Sequence, residues 1–248
     1  MSSDRSVVVH SDAEELATAT AARLINTVAD AQADHRPVHI ALTGGRIAAT
    51  VYRHVLESPF RTAVNWNQVH FWWGDERFLP SGNADRNETQ AREAFLDALE
   101  IDPEHVHPMP AADAVDTVEE AAAVYAEELN VAGHESRVMP HFDLILLGIG
   151  EDAHVASLFP GHKVLDEKEK SVVGVRTAPK PPSERTTLTF PVLNSATEVW
   201  VIASGGGKAE AVSSALEADD VPAAQVNGRT TRWLVDRDAA GDLHRFDF

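Results

Sequence analysis

The chain has 248 residues, 44% of them hydrophobic, and no cysteine, so it can build a sizeable core but no disulfide, thiol nucleophile or cysteine-based zinc site. Its 21 Lys and Arg against 39 Asp and Glu give a net charge of −18, which opposes binding to nucleic acid and to anionic membranes. No apolar run approaches the roughly 20 residues that span a bilayer, and the N-terminus lacks a signal-peptide pattern, so we expect a cytoplasmic protein.

Short apolar or β-branched runs alternate with segments of helical periodicity along the chain. The predicted strands cover residues 7–9, 39–42, 69–73, 142–148, 172–175, 186–189, 199–204 and 232–235. Five helices are predicted. The first is capped by Ser11 or Asp12, the second covers 48–55, the third follows 85–87 and extends to Leu99, the fourth is capped by Thr117, and the fifth covers 208–216. This alternation predicts an α/β fold with a doubly wound, mainly parallel sheet flanked by helices. We expect one domain over 1–248, with a charged tail that frays after Val235.

The first candidate loop is Gly44-Gly45-Arg46, between a predicted strand and a predicted helix. Ligands of doubly wound sheets bind beyond the carboxyl ends of the strands, where this loop lies. Glycines let the backbone approach a ligand closely, the helix N-terminus offers N–H groups to an anion, and Arg46 adds positive charge. A tight strand-to-helix turn would use the same glycines, so both interpretations stay open.

The second candidate loop, residues 73–80, places four polar or special residues directly after an apolar strand. Arg77 can clamp a phosphate or carboxylate in a forked geometry. Asp75 and Glu76 could orient Arg77 or bind sugar hydroxyls, and Asn87 could cap its helix or reach the same site. The alternative is a local salt bridge with solvated acids.

The third candidate loop, residues 147–161, ends a buried strand with a Gly-x-Gly turn and presents Asp152 and His154. A neutral histidine is the natural general base near pH 7, and a nearby carboxylate can hold its tautomer and stabilise the imidazolium. In a strand the two residues would share a face, whereas in a turn they need not touch. A core or surface histidine and an N-capping aspartate are the alternatives.

The fourth candidate segment, residues 178–185, contains prolines that hold an extended chain and stiffen Lys180. Lys180 and Arg185 are cations in an acidic protein, which indicates either a phosphate pocket or a rigid surface turn. His105 and His107 lack a third ligand at diagnostic spacing, so we predict no metal site. The Gly205-to-Lys208 segment lacks the spacing of a phosphate-binding loop and is interpreted as a strand-to-helix turn.

These segments resemble the 6-phosphogluconolactonase family, in order and over nearly the whole chain. Most specific are the Trp-Gly-Asp-Glu-Arg run that contains Arg77 and the Asp-x-His-x-Ala-Ser-Leu-Phe-Pro-Gly run that begins at Asp152. The similarity also includes Thr43-Gly44-Gly45, Asn87, residues 178–185, Thr187-Leu188-Thr189 with Pro191 and Leu193-Asn194, and residues 205–208. The resemblance implies the NagB/RpiA/CoA transferase-like fold, which the family shares with glucosamine-6-phosphate deaminases and ribose-5-phosphate isomerases.

The resemblance also implies hydrolysis of 6-phospho-D-glucono-1,5-lactone to 6-phosphogluconate in the oxidative pentose phosphate pathway. It implies that His154 activates water and that Arg77 and Lys180 lie at the phosphate, beside the Gly44-Gly45 turn. We expect no cofactor or metal, oxyanion donors among the N–H groups of 148–150, and a monomer or small homo-oligomer. An amino-sugar phosphate deaminase or isomerase, and a non-catalytic sugar-phosphate sensor, are the alternatives.

The chain departs from the family pattern at four positions. Arg46 replaces a small residue after the glycine pair, and Ala153 stands where glycine is common between the Asp and His. Val155 replaces a hydroxyl residue, and Ala178 replaces a serine. If position 153 needs a positive φ, alanine costs about 1 kcal/mol there.

Overall fold

The computed structural model describes residues 4–34, 36–133, 139–218, 220–241 and 243. Their central feature is a six-stranded sheet formed by β1 (Asp4–His10), β2 (Val38–Leu42), β3 (Val69–Trp73), β5 (Leu144–Gly148), β8 (Glu198–Ala203) and β9 (Thr230–Asp236). The spatial order is β1-β9-β8-β5-β2-β3, and every neighbouring pair is parallel. The predicted parallel sheet is therefore confirmed.

Helices connect these strands, and the two longest begin at capping side chains that the sequence provides. They are α1 (Ala13–Gln32), α2 (Arg46–Glu57), α3 (Asn87–Ala94), α4 (Val118–Ala132), α5 (Phe190–Leu193), α6 (Ala209–Leu216) and α7 (Arg237–Ala240). The Asp12 carboxylate accepts hydrogen bonds from the first N–H groups of α1, and the Thr117 hydroxyl accepts one from α4. Both caps match the sequence prediction.

Both faces of the sheet are covered, as a doubly wound fold requires. Leu144 and Leu146 of β5 pack in the apolar cluster that contains α1, α2 and α3. Ile145 and Leu147, which point the other way, pack in the cluster that contains α4, α6 and α7. This explains why β5 is a continuous apolar run in the sequence. Within the described ranges, no helix has both the length and the apolar character needed to cross a membrane.

A second, antiparallel sheet was not predicted. It consists of β4 (Asp75–Arg77), β7 (Arg185–Leu188) and β6 (Val172–Val175), in that order. Only Gly74 separates β3 from β4, and a parallel crossover needs a dozen residues or more, so β4 leaves the main sheet. The sequence prediction treated 75–77 as a loop and included the other two segments among the strands of the main sheet. The small sheet carries Asp75 and Arg77 beyond the carboxyl edge of the main sheet.

The predicted end of α3 and the predicted fraying of the tail are wrong. Helix α3 ends at Ala94 rather than reaching Leu99, because Phe95 leaves the helical region with φ −160° and stacks on the Tyr52 ring at 4.7 Å. The tail does not fray directly after Val235. Asp236 ends β9, accepts the N–H of Ala239 as the cap of α7, and is followed by buried Ala239, Ala240 and Leu243. Residues 242 and 244–248 lie outside the described part.

Four histidines form a stack beside Trp72. His107 lies on the Trp72 indole with a centroid distance of 3.8 Å, and His70 contacts His39, His105 and His107 at 4.7, 4.4 and 5.2 Å. Across the described ranges, no group of three or more His, Asp or Glu side chains is arranged to hold a metal ion. Burial and the neighbouring rings lower the pKa of His39 to about 3 and that of His70 to about 4.

The stack predicts loss of stability in mild acid. Both rings are neutral in the folded protein, whereas the unfolded chain binds their protons from about pH 6.5 downward. The free energy of unfolding that these two neutral rings contribute is therefore complete above pH 6.5, and it is lost as the pH falls toward 4. The free energy of unfolding, measured by urea titration of tryptophan fluorescence, should fall less steeply over this range in His70→Gln than in the wild type. An equal slope would contradict the proposed titration, and His54→Gln, outside the stack, is the matched control.

Candidate active site

The carboxyl ends of the central strands open into one cavity of about 330 Å³. The glycine turn after β2, the strand β4, the turn after β5 and the start of the segment after β8 all border it, because parallel neighbours end at the same edge. The lining residues are Thr43, Gly44, Gly45, Asp75, Arg77, Asn87, Gly148, Ile149, Gly150, His154, Ala156, Lys180, Pro181, Arg185 and Lys208.

His154 and Asp152 touch each other. The His154 Nδ1 lies 2.5 Å from the Asp152 Oδ1, and the Lys180 ammonium donates to the same oxygen at 3.2 Å. A carboxylate accepts hydrogen bonds, so Nδ1 carries the proton of the neutral ring and Nε2 is the acceptor. His154 lines the cavity, with 17% of its side chain exposed. The arrangement leaves a basic nitrogen available to a molecule in the cavity.

The charges of this pair follow from burial and hydrogen bonding. Burial lowers the pKa of His154, and the lowering outweighs the opposite effect of Asp152. Burial alone would raise the pKa of Asp152, but the hydrogen bonds from His154 and Lys180 outweigh it and lower the value to about 2. At pH 7 the site therefore holds a neutral imidazole against an ionised carboxylate.

A tight turn, not strand alternation, brings Asp152 and His154 together. A Cβ at Gly150 would lie 2.0 Å from the His154 Nδ1, so only glycine permits the ring to cover this turn. Ala153 has φ +59°, the positive value that its place in the family pattern suggested, and Ala156 has φ +48°. The buried methyl of Ala153 and a hydrogen bond from the Ala223 N–H to its carbonyl hold this conformation.

Asp75 joins three loops of the cavity. Its Oδ2 accepts a hydrogen bond from the Ser157 hydroxyl at 2.7 Å, and its backbone carbonyl accepts one from the Asn87 amide at 2.8 Å. The other atom of that amide, Asn87 Oδ1, lies against Gly44, where a Cβ would approach it to 1.8 Å. Gly44 is therefore needed for close approach, while Gly45, with φ +101°, is needed for the turn. The sequence assigned no role to Ser157, although it lies in the run that begins at Asp152.

Four cationic side chains line the cavity, and they differ in how far the protein already uses their hydrogen bonds. They are Arg77, Lys180, Arg185 and Lys208. Arg185 is 5% exposed, donates to the carbonyls of Pro181 and Pro182 at 3.1 Å, and lies over the Phe159 ring. These contacts make it a support for the proline segment. The Arg77 Nη1 donates to the Asp85 carbonyl, and its buried Nε finds no hydrogen-bond partner among the described residues.

Lys208 also lines the cavity, although the sequence did not single it out as a site residue. It lines the cavity with Lys180, and burial lowers its pKa, with Glu151 acting in the opposite direction. The sequence signal was its place after the glycine turn that follows β8, the neighbour of β5. The lack of a phosphate-loop spacing led us to interpret this segment as a turn only.

Arg46 lies in a neighbouring cavity of about 460 Å³. The two cavities share Gly44, Gly45, Gly148, Ile149 and Lys208 as common walls. Arg46 begins α2 after the uncapped Gly45, and its side chain is exposed. Arg46 does not line the cavity that contains His154, Arg77 and Lys180, but it lies near Lys208 in the shared wall.

The chain is similar to known proteins over nearly its full length. Residues 11–235 match the family model described as glucosamine-6-phosphate isomerases/6-phosphogluconolactonase. The chain is 46% identical to the 6-phosphogluconolactonase of Streptomyces coelicolor, over 99% of this chain and 97% of that protein. It is 38% identical to the 6-phosphogluconolactonase of Mycobacterium tuberculosis, over 96% and 98%.

The fold is also similar to solved structures. The crystal structure of the Thermotoga maritima 6-phosphogluconolactonase superposes with a TM-score of 0.83 at 25% identity, covering 94% of this chain and all of that one. The family match extends over most of the chain and includes the loops that form the cavity. The chain therefore belongs to the glucosamine-6-phosphate isomerase/6-phosphogluconolactonase family.

Proposed function

We propose that this chain hydrolyses 6-phospho-D-glucono-1,5-lactone to 6-phosphogluconate, with His154 as the general base that activates water. The reaction is that of the 6-phosphogluconolactonases to which the chain is similar over nearly its full length. The observation that carries the residue assignment is the neutral His154 ring, held by Asp152 in a cavity with several cations. The proposal includes a cytoplasmic location, no cofactor, and a monomer or small homo-oligomer.

Substrate binding uses the local cations against the negative charge of the whole protein. A phosphate dianion is repelled by a net charge of −18 at long range, so nearby positive groups must hold it. Arg77 and Lys208 both line the cavity, and the Gly44-Gly45 turn follows β2, which lies between β8 and β3 in the sheet. We assign the phosphate to these groups, with Lys180 next to them. Its binding fixes the lactone carbonyl near His154.

The chemical step is attack of water on the lactone carbonyl carbon. His154 Nε2 takes a proton as the water oxygen bonds to this carbon, and Asp152 stabilises the imidazolium that forms. The bond from the carbonyl carbon to the ring oxygen then breaks, and the ring oxygen takes the proton from His154. The product is an open-chain carboxylic acid, which ionises in water.

Two of the three N–H groups expected to hold the developing oxyanion, those of Gly148 and Gly150, already donate within the protein. The Gly148 N–H donates to the Thr43 hydroxyl at 3.3 Å, and the Gly150 N–H donates to the His154 carbonyl at 2.9 Å. The ammonium of Lys180, beside Asp152, is a charged donor at this end of the cavity. We therefore assign Lys180 to the oxyanion as well as to the attraction of the phosphate.

Replacing His154 should remove most of the activity and leave the fold intact. A positioned general base contributes about 10²- to 10⁴-fold, so kcat of His154→Gln should fall by a factor in that range. The assay follows proton release from fresh 6-phospholactone above the spontaneous rate, with circular dichroism as the fold check. His162→Gln, in the same segment but bonded to Thr177, is the matched control and should keep the activity.

Wild-type turnover in His154→Gln would remove the residue from the mechanism. Ammonia release from glucosamine 6-phosphate, with no lactone hydrolysis, would instead favour the deaminase alternative.

The pH dependence of kcat/KM should show that activity requires the neutral form of His154. Since burial lowers the pKa of His154, the part of the decline that comes from protonation of His154 should appear as the pH falls below 6.5. Asp152 raises that pKa, so Asp152→Asn should move the decline to lower pH and also reduce the rate. Comparing the two enzymes cancels the ionisation of the substrate phosphate. A decline that stays in place or moves to higher pH in Asp152→Asn would contradict the assignment.

A further inference from the structure

Glu76 lies between two cavity residues, yet its side chain points away from the cavity. Asp75 and Arg77 share one face of β4 and line the cavity, so Glu76 faces the opposite side. Its side chain is 1% exposed, as is that of Arg86. A buried carboxylate is costly unless hydrogen bonds and charges offset the loss of water. The contacts of Glu76 therefore indicate what it does.

The carboxylate of Glu76 binds three backbone N–H groups from two elements. Its Oε1 accepts hydrogen bonds from the N–H groups of Arg77 at 2.8 Å and Asn87 at 2.7 Å. Its Oε2 accepts one from the N–H of Glu88 at 2.9 Å. Glu76 thus ties the backbone of β4 directly to the first turn of α3.

This contact supplies the helix cap that α3 lacks locally. Arg86 is the N-cap residue, and among the described residues its side chain makes no capping hydrogen bond to α3. The first N–H groups of a helix are unsatisfied within the helix and carry partial positive charge. A carboxylate from β4 satisfies two of them and is itself stabilised by the helix N-terminus.

Arg86 completes the arrangement and anchors the loop before α3. Its Nη2 lies 3.8 Å from the Glu76 Oε2 and donates to the Met109 carbonyl at 2.7 Å, and its Nη1 donates to the Leu79 carbonyl at 3.1 Å. The same loop provides the Asp85 carbonyl that binds the Arg77 guanidinium. Both ends of Arg77, its backbone N–H and its guanidinium, are therefore held by the β4–α3 junction.

We propose that Glu76 is a positioning residue for the phosphate end of the site, which it organises by fixing Arg77 and Asn87 without contacting the substrate. The inference rests on the proposed function, because it assigns Arg77 to the substrate phosphate. Burial raises the pKa of Glu76 to about 7, so its three N–H donors and Arg86 do not fully offset the loss of water. The junction is therefore sensitive to a change at this one side chain.

The test is the substrate dependence of Glu76→Gln. Gln has nearly the same shape as Glu, but its amide NH₂ would face a backbone N–H donor. At least one of the hydrogen bonds between β4 and α3 is therefore lost. We expect KM for 6-phospho-D-glucono-1,5-lactone to rise about tenfold, since a charge-assisted hydrogen bond is lost, with kcat nearly unchanged. The kcat/KM for D-glucono-1,5-lactone, which has no phosphate, should stay near the wild-type value. Glu93→Gln, an exposed acid on α3, is the matched control.

A double mutant separates positioning from general damage. If Glu76 acts through Arg77, the KM effect of Glu76→Gln should largely disappear in an Arg77→Ala background. Equal loss of activity toward both lactones, or full additivity with Arg77→Ala, would overturn the positioning role. If Glu76→Gln does not fold, Glu76→Asp, which keeps the charge but is shorter, takes its place. Its kcat/KM values for the phosphorylated and the unphosphorylated lactone are then compared in the same way. A wild-type protein that hydrolyses neither lactone would instead contradict the proposed function itself.

Discussion

The hydrogen bond between His154 and Asp152 is the contact on which the site depends. It fixes the tautomer, so the ring nitrogen that faces the cavity is basic, and burial keeps the ring uncharged near pH 7. The turn that makes this contact is demanding, since it needs Gly150 under the ring and holds Ala153 at a positive φ. Such a conformation persists only where the surrounding structure holds it, and here Ala223 and the core do so.

Charge is the second constraint. The protein carries a net charge of −18, yet the cavity brings together Arg77, Lys180 and Lys208, which are far apart in the sequence. Their convergence comes from the sheet, because parallel strands end at the same edge and β4 leaves the main sheet to deliver Arg77. Local cations of this kind can hold an anionic sugar against the field of the whole protein.

Much of this arrangement could be predicted from the sequence. The apolar run of β5, the glycine turns and the Asp152–His154 spacing are local signals, and they indicated the parallel sheet and the edge where the site lies. The separate antiparallel sheet depends on the one-residue connection at Gly74 and on long-range pairing, which no local pattern reports. Lys208 and Ser157 lie in segments that the sequence singled out, but neither was given a place in the site, because their contacts come from distant parts of the chain. No sequence pattern indicates that the N–H groups of Gly148 and Gly150 donate hydrogen bonds within the protein.

A crystal structure of the protein with 6-phosphogluconate tests the central claim most directly, because this product keeps both the phosphate and the reacted carbon. The account predicts phosphate oxygens within about 3.5 Å of the Arg77 and Lys208 nitrogens, and the product carboxylate next to the His154 Nε2. A phosphate beside His154 with the carboxylate at Arg77, or a product bound in the neighbouring cavity that Arg46 lines, would contradict it.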